Sequence, residues 1–507
     1  MCYCMNECPF VPINVCLYFG EHRIDIRSAR CRCLESINMA QENVVRRHKG
    51  NQSQNGDVKR EAKPLEPEFI PRESPLTVLI QNSLHIRAIY HIFVAILIIL
   101  LLDTAIYDLV ESGKLNIGIK SIVYGFGNIS RGLKLWLFDL TVTFAFYPGM
   151  LLYAAGAKLL KKVPVVRKAW TMLGILGVAA LEFILVAIPV KDLFKEHLAL
   201  GSSVAVTCEM FRLAMKIYAM AVVCAPRCHN RSIPLPSFKQ YIYFLFAPTL
   251  LYRDQYPRTK KTRWRVVMFY FMEVAAVIFY NCFLWERFIL PNWSDYGKKP
   301  TVEAGVLVRS MFSCVLPGVI SFLCGFYVLL HAWLNAFAEI LRFADRLFYE
   351  EWWTTSQFSR YYRAWNRVVY AWLRDHIYRP LSPRAGRALS TLAVFLISAI
   401  AHEVILALSF GFFYPVLMVE FGLLGLLMIP LTAASGRRFP NFLNLYMWFG
   451  FFIGNGLLWS LYPMEYFARK NCPPSENDSF FIPKSWSCPK VILKPNWTFQ
   501  NPLEILD

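Results

Sequence analysis

Apolar runs of roughly twenty residues recur along this chain, each closed by a polar or basic loop, and nothing else in the sequence limits the fold so strongly. A bilayer core of ~30 Å is crossed by about twenty helical residues at ~1.5 Å rise each. By that measure spans are predicted at roughly 88–109, 133–157, 169–190, 202–225, 266–290, 305–335, 389–411, 413–433 and 444–463. The expected class is therefore all-α, a polytopic membrane protein of about nine transmembrane helices. Composition agrees. Of 507 residues, 56% are hydrophobic and 16% aromatic, and only 18% are charged, below the usual quarter. The net charge of +19 would suit nucleic acid, but the basic residues gather in loops between apolar runs, so no nucleic-acid partner is expected.

Loop charge sets the orientation. Lys158, Lys161, Lys162, Arg167 and Lys168 follow the second run. Arg227, Arg231, Lys239, Arg253, Arg258, Lys260, Lys261, Arg263 and Arg265 follow the fourth, and Arg437 and Arg438 precede the ninth. In a nine-span arrangement all fall on one side, the cytosolic side, together with the N-terminus. The C-terminus is then lumenal. Cys472 and Cys488 flank a Pro-rich tail, where a disulfide requires an oxidising lumen. The acceptor sequences at Asn292 and Asn496 lie on that side, whereas those at Asn51 and Asn230 lie in predicted cytosolic segments. Three regions result: a cytosolic, mostly disordered tail over 1–75, a transmembrane domain over 76–470 and a lumenal tail over 471–507. The tail carries Arg46-Arg47-His48-Lys49 and a Pro/Glu-rich stretch near Pro64–Pro75. Its Cys2, Cys4, Cys8, Cys16, Cys31 and Cys33 contain no CxxC pair and have one nearby histidine, His22, so no metal site is expected. No early segment combines a basic start with an uninterrupted apolar run, so the first span is its own insertion signal.

Within the run Leu389–Phe410 stands an ionisable pair, His402–Glu403. A charge at the bilayer centre costs about 2.5–3.5 kcal/mol on insertion scales. Two readings stand: a polar pair joining neighbouring helices, or chemistry. Glu209, Arg212 and Lys216 repeat at helical spacing in the fourth run and are expected to pair along one face. No internal repeat and no inverted pair of broken spans points to a transporter. The stretch from Asn335 to Arg387 is not apolar enough to span. At its heart is Phe348-Tyr349-Glu350-Glu351-Trp352-Trp353-Thr354. Read as a helix, it places Phe348 with Trp352 and Tyr349 with Trp353, which suits a helix at the membrane interface, either an anchor or a binding element. Trp365-Asn366 follows, and Asn366 offers both donor and acceptor. His331, at the end of the sixth run, reads as structural. There is no GxSxG elbow, no H-x4-D dyad, no P-loop and no GxGxxG.

Four blocks resemble the sterol O-acyltransferases (acyl-CoA:cholesterol acyltransferases) of the membrane-bound O-acyltransferase superfamily: His85–His91 (HIRAIYH), Tyr241–Asp254 (YIYFLFAPTLLYRD), Leu330–Tyr349 (LHAWLNAFAEILRFADRLFY) and Ser398–Glu403 (SAIAHE). The resemblance runs from about Leu84 to Cys488. It implies a fold with a buried catalytic chamber and transfer of a long-chain acyl group from acyl-CoA to a sterol such as cholesterol in the endoplasmic reticulum membrane. It also implies no cofactor beyond acyl-CoA as co-substrate, and a dimer or dimer of dimers. The family's active histidine maps to His402 and its partner asparagine to Asn366. The paired lumenal cysteines map to Cys472 and Cys488. The family motif reads Phe-Tyr-x-Asp-Trp-Trp-Asn. Here Glu351 replaces Asp, Thr354 replaces Asn, and Tyr370 stands where a histidine is usual one turn after the asparagine.

The chemistry is coherent with this. A thioester is already activated, so what is needed is a base for the alcohol, and a neutral imidazole fits. Asn366 either orients that imidazole or donates to the oxyanion. Glu403 points about 100° away around the helix and supports packing. The expected substrate-binding set is Phe348, Tyr349, Glu351, Trp352, Trp353, Trp365, Tyr370 and Asn455, with no metal site. Acyl-CoA is expected to enter from the cytosol and the sterol sideways from lipid. The rival acceptors are diacylglycerol and a long-chain alcohol, and the rival class is a non-catalytic lipid-binding or transport homologue.

Overall fold

A computed structural model describes residues 69–115, 117–160, 163–196, 198–229, 233–476 and 478–493. The cysteine-rich start, the basic cluster at 46–49 and the acceptor asparagines 51, 230 and 496 lie outside the described residues. The described residues are helical almost throughout, as expected of the class. In order come α1 (Pro75–Asn82), α2 (Leu84–Ser112), α3 (Ile119–Gly125), α4 (Ile129–Leu159), α5 (Pro164–Lys195), α6 (Leu200–His229), α7 (Phe238–Phe246) and α8 (Trp264–Leu284). Then follow α9 (Ala304–Ser313), α10 (Val315–Phe326), α11 (Leu334–Ile340), α12 (Phe358–Trp365), α13 (Arg367–Leu373), α14 (Arg379–Phe410), α15 (Gly425–Arg438) and α16 (Pro440–Asn471). A two-stranded parallel sheet, β1 (Thr301–Glu303) with β2 (Lys490–Ile492), pairs Val302 with Val491.

All nine predicted runs fall on helices, but among the described residues six continuous helices are both long and apolar enough to cross a membrane. These are Leu84–Ser112, Ile129–Leu159, Pro164–Lys195, Trp264–Asn292, Ala304–Ile340 and Arg367–Phe410. The other three runs lie on α6, on the shorter apolar stretch Met418–Ala433 and on α16. The reason is visible in the sequence. α6 carries Glu209, Arg212 and Lys216 within a few turns, and α16 dilutes its apolar residues with Asn, Gly and Tyr. Among the described residues four π-helical turns occur, at Trp285–Ile289, Tyr327–Trp333, Arg374–Tyr378 and Met418–Leu424. Arg367–Phe410 also kinks at Gly386, whose φ of 78° is open to glycine at little cost.

Two contacts organise the centre. α6 packs against both α13 and α14: Trp372 Nε1 donates to Met215 O at 2.9 Å, and Ser203 Oγ donates to Leu408 O at 3.5 Å. α10 lies against α16 so closely that a β-carbon on Gly456 would sit 2.6 Å from Val315 Cγ2, which is why a glycine stands there. The charges of α6 do not form one ladder. Glu209 takes Arg212 at 2.6 Å, but Lys216 turns away to the carbonyl oxygens of Phe244 (2.5 Å) and Ala247 (2.8 Å) at the end of α7. Ahead of α1, the segment from Phe69 is anchored. Arg72 pairs with Asp345 at 2.6 Å, and Ser74 Oγ donates to Arg346 O at 2.8 Å. Cys472 and Cys488 form a disulfide that joins the end of α16 to the chain beyond it.

Candidate functional site

The aromatic motif is not a helix. Phe348–Glu351 is irregular, and only Trp352–Thr354 makes a single 3-10 turn. Its aromatics do not face outward either, since Phe348, Tyr349 and Trp352 are 1%, 0% and 2% exposed. Backbone bonds to distant residues replace the expected helical ones. Glu350 N–H donates to Ala364 O at 2.7 Å, and Arg367 N–H donates to Phe348 O at 2.8 Å. Trp352 is the hub of a ring cluster, with Trp365 at 4.8 Å, Phe326 at 5.2 Å and Trp448 at 5.7 Å between centroids. Trp353 contributes its carbonyl, which accepts from Asn444 Nδ2 (3.0 Å) and Trp448 Nε1 (3.2 Å). Tyr349 reaches the other way, its hydroxyl 2.7 Å from His331 Nδ1. His331 is buried in the π-helical turn Tyr327–Trp333, consistent with a structural part.

Asn366 separates α12 from α13. Its φ and ψ of −136° and 91° are extended, and its Oδ1 accepts from Val369 N–H at 3.1 Å as an N-cap. A backbone N–H needs an oxygen acceptor, so the amide is fixed with Nδ2 turned the other way. Glu351 and Thr354 are exposed, Thr354 Oγ1 donating to the Glu351 carbonyl at 2.9 Å. Tyr370 is half-buried beneath the Arg374 guanidinium, 5.8 Å above its ring.

His402 lies on the last turns of α14. Its Nδ1 is 2.7 Å from Ser398 O, and a carbonyl oxygen only accepts, so Nδ1 carries the hydrogen. Nε2 is then the unprotonated nitrogen of the neutral ring, and among the described residues it has no hydrogen-bond partner. The ring stays exposed, with Phe421 at 5.5 Å. Glu403 points into protein, 1% exposed, and accepts from Tyr462 OH (2.9 Å) and Met418 N–H (3.1 Å), a packing network as its helical angle implies.

The structure thus brings Phe348, Tyr349, Trp352, Trp353, Trp365 and Asn366 into one block. His402 joins that block through rings rather than hydrogen bonds: Tyr362 of α12 meets Phe421 at 5.1 Å, and Phe421 meets His402. Asn455 is buried on α16, its Nδ2 donating to Phe451 O at 2.8 Å, while Phe451 packs on Tyr361 at 4.8 Å. Glu351, Thr354 and Tyr370 stay at the edge. Sequence reasoning missed the Met418–Leu424 segment, including Glu420 and Phe421. The signal was available, because Glu420 is an ionisable residue in an apolar run just as His402 is. Among the described residues no group of His, Cys, Asp and Glu is arranged to hold a metal ion.

The model of the membrane-bound O-acyltransferase family matches residues 141–463. The chain is 36% identical to sterol O-acyltransferase 2 of Homo sapiens over 434 residues, covering 83% of this chain and 80% of the relative. It is 35% identical to sterol O-acyltransferase 1 of Mus musculus over 434 residues, covering 83% and 79%. The chain belongs to the membrane-bound O-acyltransferase family and is an acyl-CoA-dependent acyltransferase embedded in the membrane by several passes.

Proposed function

We propose that this chain moves a long-chain acyl group from acyl-CoA to the hydroxyl of a sterol, with His402 as general base. The single observation that carries the reading is the His402 ring, its Nδ1 facing Ser398 O and its Nε2 free of a hydrogen-bond partner among the described residues. The names of the relatives support the sterol as acceptor.

The sterol hydroxyl gives its proton to Nε2 as its oxygen attacks the thioester carbon. The oxyanion accepts from Asn366 Nδ2, which the Val369 cap holds in a fixed direction. When the carbon–sulfur bond breaks, the CoA thiolate takes the proton from the imidazolium, leaving ester, thiol and the starting ring. No covalent enzyme intermediate and no cofactor is required. The aromatic block around Trp352 holds this machinery in place, and Tyr370 and Asn455 line its edge. The enzyme sits in the endoplasmic reticulum membrane as a homo-oligomer, N-terminus cytosolic and C-terminus lumenal.

The test is acyl-CoA-dependent ester formation in membranes of cells lacking their own sterol acyltransferases, with cholesterol, diacylglycerol and a long-chain alcohol offered together. Steryl ester that disappears in His402→Ala supports both reaction and base. Ester on another acceptor keeps the mechanism and replaces the sterol. No ester from well-folded protein rejects the catalytic reading.

A further inference from the structure

One carboxyl near His402 has no partner. The segment Met418–Leu424, MVEFGLL, is π-helical, a rare geometry concentrated at functional sites. It is tied to the helix of His402 by the Met418 N–H bond to Glu403, and its Phe421 lies on the His402 ring. Glu420 stands immediately before Phe421. Its Oε1 is buried and, among the described residues, bonds to nothing. Its Oε2 faces α16 at Gly454. A β-carbon there would sit in van der Waals contact with Oε2, at 3.6 Å, and would meet nothing else from another part of the chain within 4 Å, so glycine leaves a methyl group's room beside the carboxyl. Next to Gly454, the Asn455 amide donates to Phe451 O and not to Glu420. The contrast with Glu403 is direct. Glu403 is closed by the Tyr462 hydroxyl and a backbone N–H, whereas among the described residues Glu420 Oε1 has no donor. A carboxyl in a membrane segment is retained where something donates to it, and an arriving ligand can supply that donor.

We propose that Glu420 binds a hydroxyl of the acceptor lipid other than the one that is acylated, so that the preferred acceptor is a sterol carrying a second hydroxyl; this rests on the sterol reading above. A sterol with one hydroxyl commits that group to His402 Nε2 and has nothing left to offer a carboxyl. A diol satisfies both at once. The carboxyl then fixes how far the acceptor slides past the base, and it disfavours acceptors that would leave it unpaired.

The test uses the full-length protein in lipid discs, with cholesterol, a side-chain diol and a ring diol of cholesterol as acceptors. For each, kcat/KM and the binding of radiolabelled sterol are measured in wild type, Glu420→Gln and Glu420→Leu. Wild type is expected to favour at least one diol over cholesterol by about 10- to 100-fold. Glu420→Leu brings that ratio to about one, through the acceptor KM rather than the acyl-CoA KM. Glu420→Gln keeps an acceptor oxygen and part of the preference. If the leucine variant yields no folded protein, Gly454→Ala decides, since its methyl group narrows the space before the carboxyl and must lower the ratio. Equal use of cholesterol and both diols by wild type overturns the proposal, as does a preference that survives in Glu420→Leu. If wild type makes no ester from any sterol, the sterol reading fails, and binding separates the two ideas. Diol binding lost in Glu420→Leu upholds the carboxyl's role, and equal binding removes it.

Discussion

The block around Trp352 and the neighbourhood of His402 are built in opposite ways. In the first, rings interlock, backbone groups of Phe348, Glu350 and Trp353 are bonded to distant residues, and three of the motif's aromatics are below 3% exposed. In the second, the His402 ring is open, and among the described residues neither its Nε2 nor Glu420 Oε1 has a partner. The first region is closed by its own rings and backbone bonds, and among the described residues it leaves one buried donor unpaired, the Trp352 Nε1–H. The second stays open at both His402 and Glu420, and under the reading proposed above such open polar groups are where substrate groups belong. A family motif therefore need not lie open at the surface: Phe348, Tyr349 and Trp352 of this one are packed inside the protein.

The sharpest way to break that comparison is to truncate one residue in each region. His402→Ala is expected to lower turnover about 10²–10⁴-fold while the melting temperature stays near wild type, because the exposed ring takes few contacts with it. Trp352→Ala is expected to cost about 3–5 kcal/mol of stability, seen as a lower melting temperature and a lower yield of folded protein. If Trp352→Ala folds normally and loses only turnover, the block is a substrate wall and the division is wrong. If His402→Ala unfolds the protein, the histidine is a structural residue.

Asn366 lies on the border and separates the two roles by itself. Asn366→Ala removes the cap oxygen, worth about 1 kcal/mol, and the free amide donor together. Asn366→Asp keeps an oxygen for Val369 N–H and loses only the donor. With a donor at work, the Asp variant melts near wild type and loses about 10²–10³-fold in turnover. With a cap alone, it turns over normally.

The sequence made the second region easier to read than the first. One histidine in twenty apolar residues is conspicuous, and the i−4 carbonyl of Ser398 beside its Nδ1 follows from helical geometry. The motif at Phe348–Thr354 misled because its aromatics fall at helical spacing, while what shapes it is a pair of bonds to Ala364 and Arg367 that no local period records. Glu420 was overlooked because the run 413–433 was judged by its length and apolarity. The π-helical turns leave no mark in hydrophobic periodicity, and Lys216 was grouped with Glu209 by spacing when carbonyl oxygens of α7 hold it.

A third kind of site completes the comparison: a pair that is satisfied yet exposed. In the loop between α7 and α8, Asp254 accepts from Arg227 at 2.8 and 3.0 Å and from Tyr252 OH at 3.0 Å. The Arg227 hydrogen bonds hold its carboxyl below the usual carboxylate range. Its side chain is 42% exposed, so the pair contributes little, about 0.2–1 kcal/mol as for other exposed pairs. The sign follows from the depressed folded pKa. The contribution is fully present above the unfolded value, about 4, and fades as pH falls through the folded one. Asp254→Asn is therefore expected to melt slightly below wild type at pH 7 and equally so at pH 5, the two curves meeting only as pH drops below about 4, with turnover at neutral pH unaffected. A gap that closes already between pH 7 and 5 would mean that another group, titrating near neutrality, governs this loop. A turnover loss in Asp254→Asn would place the loop among the working parts instead of the periphery.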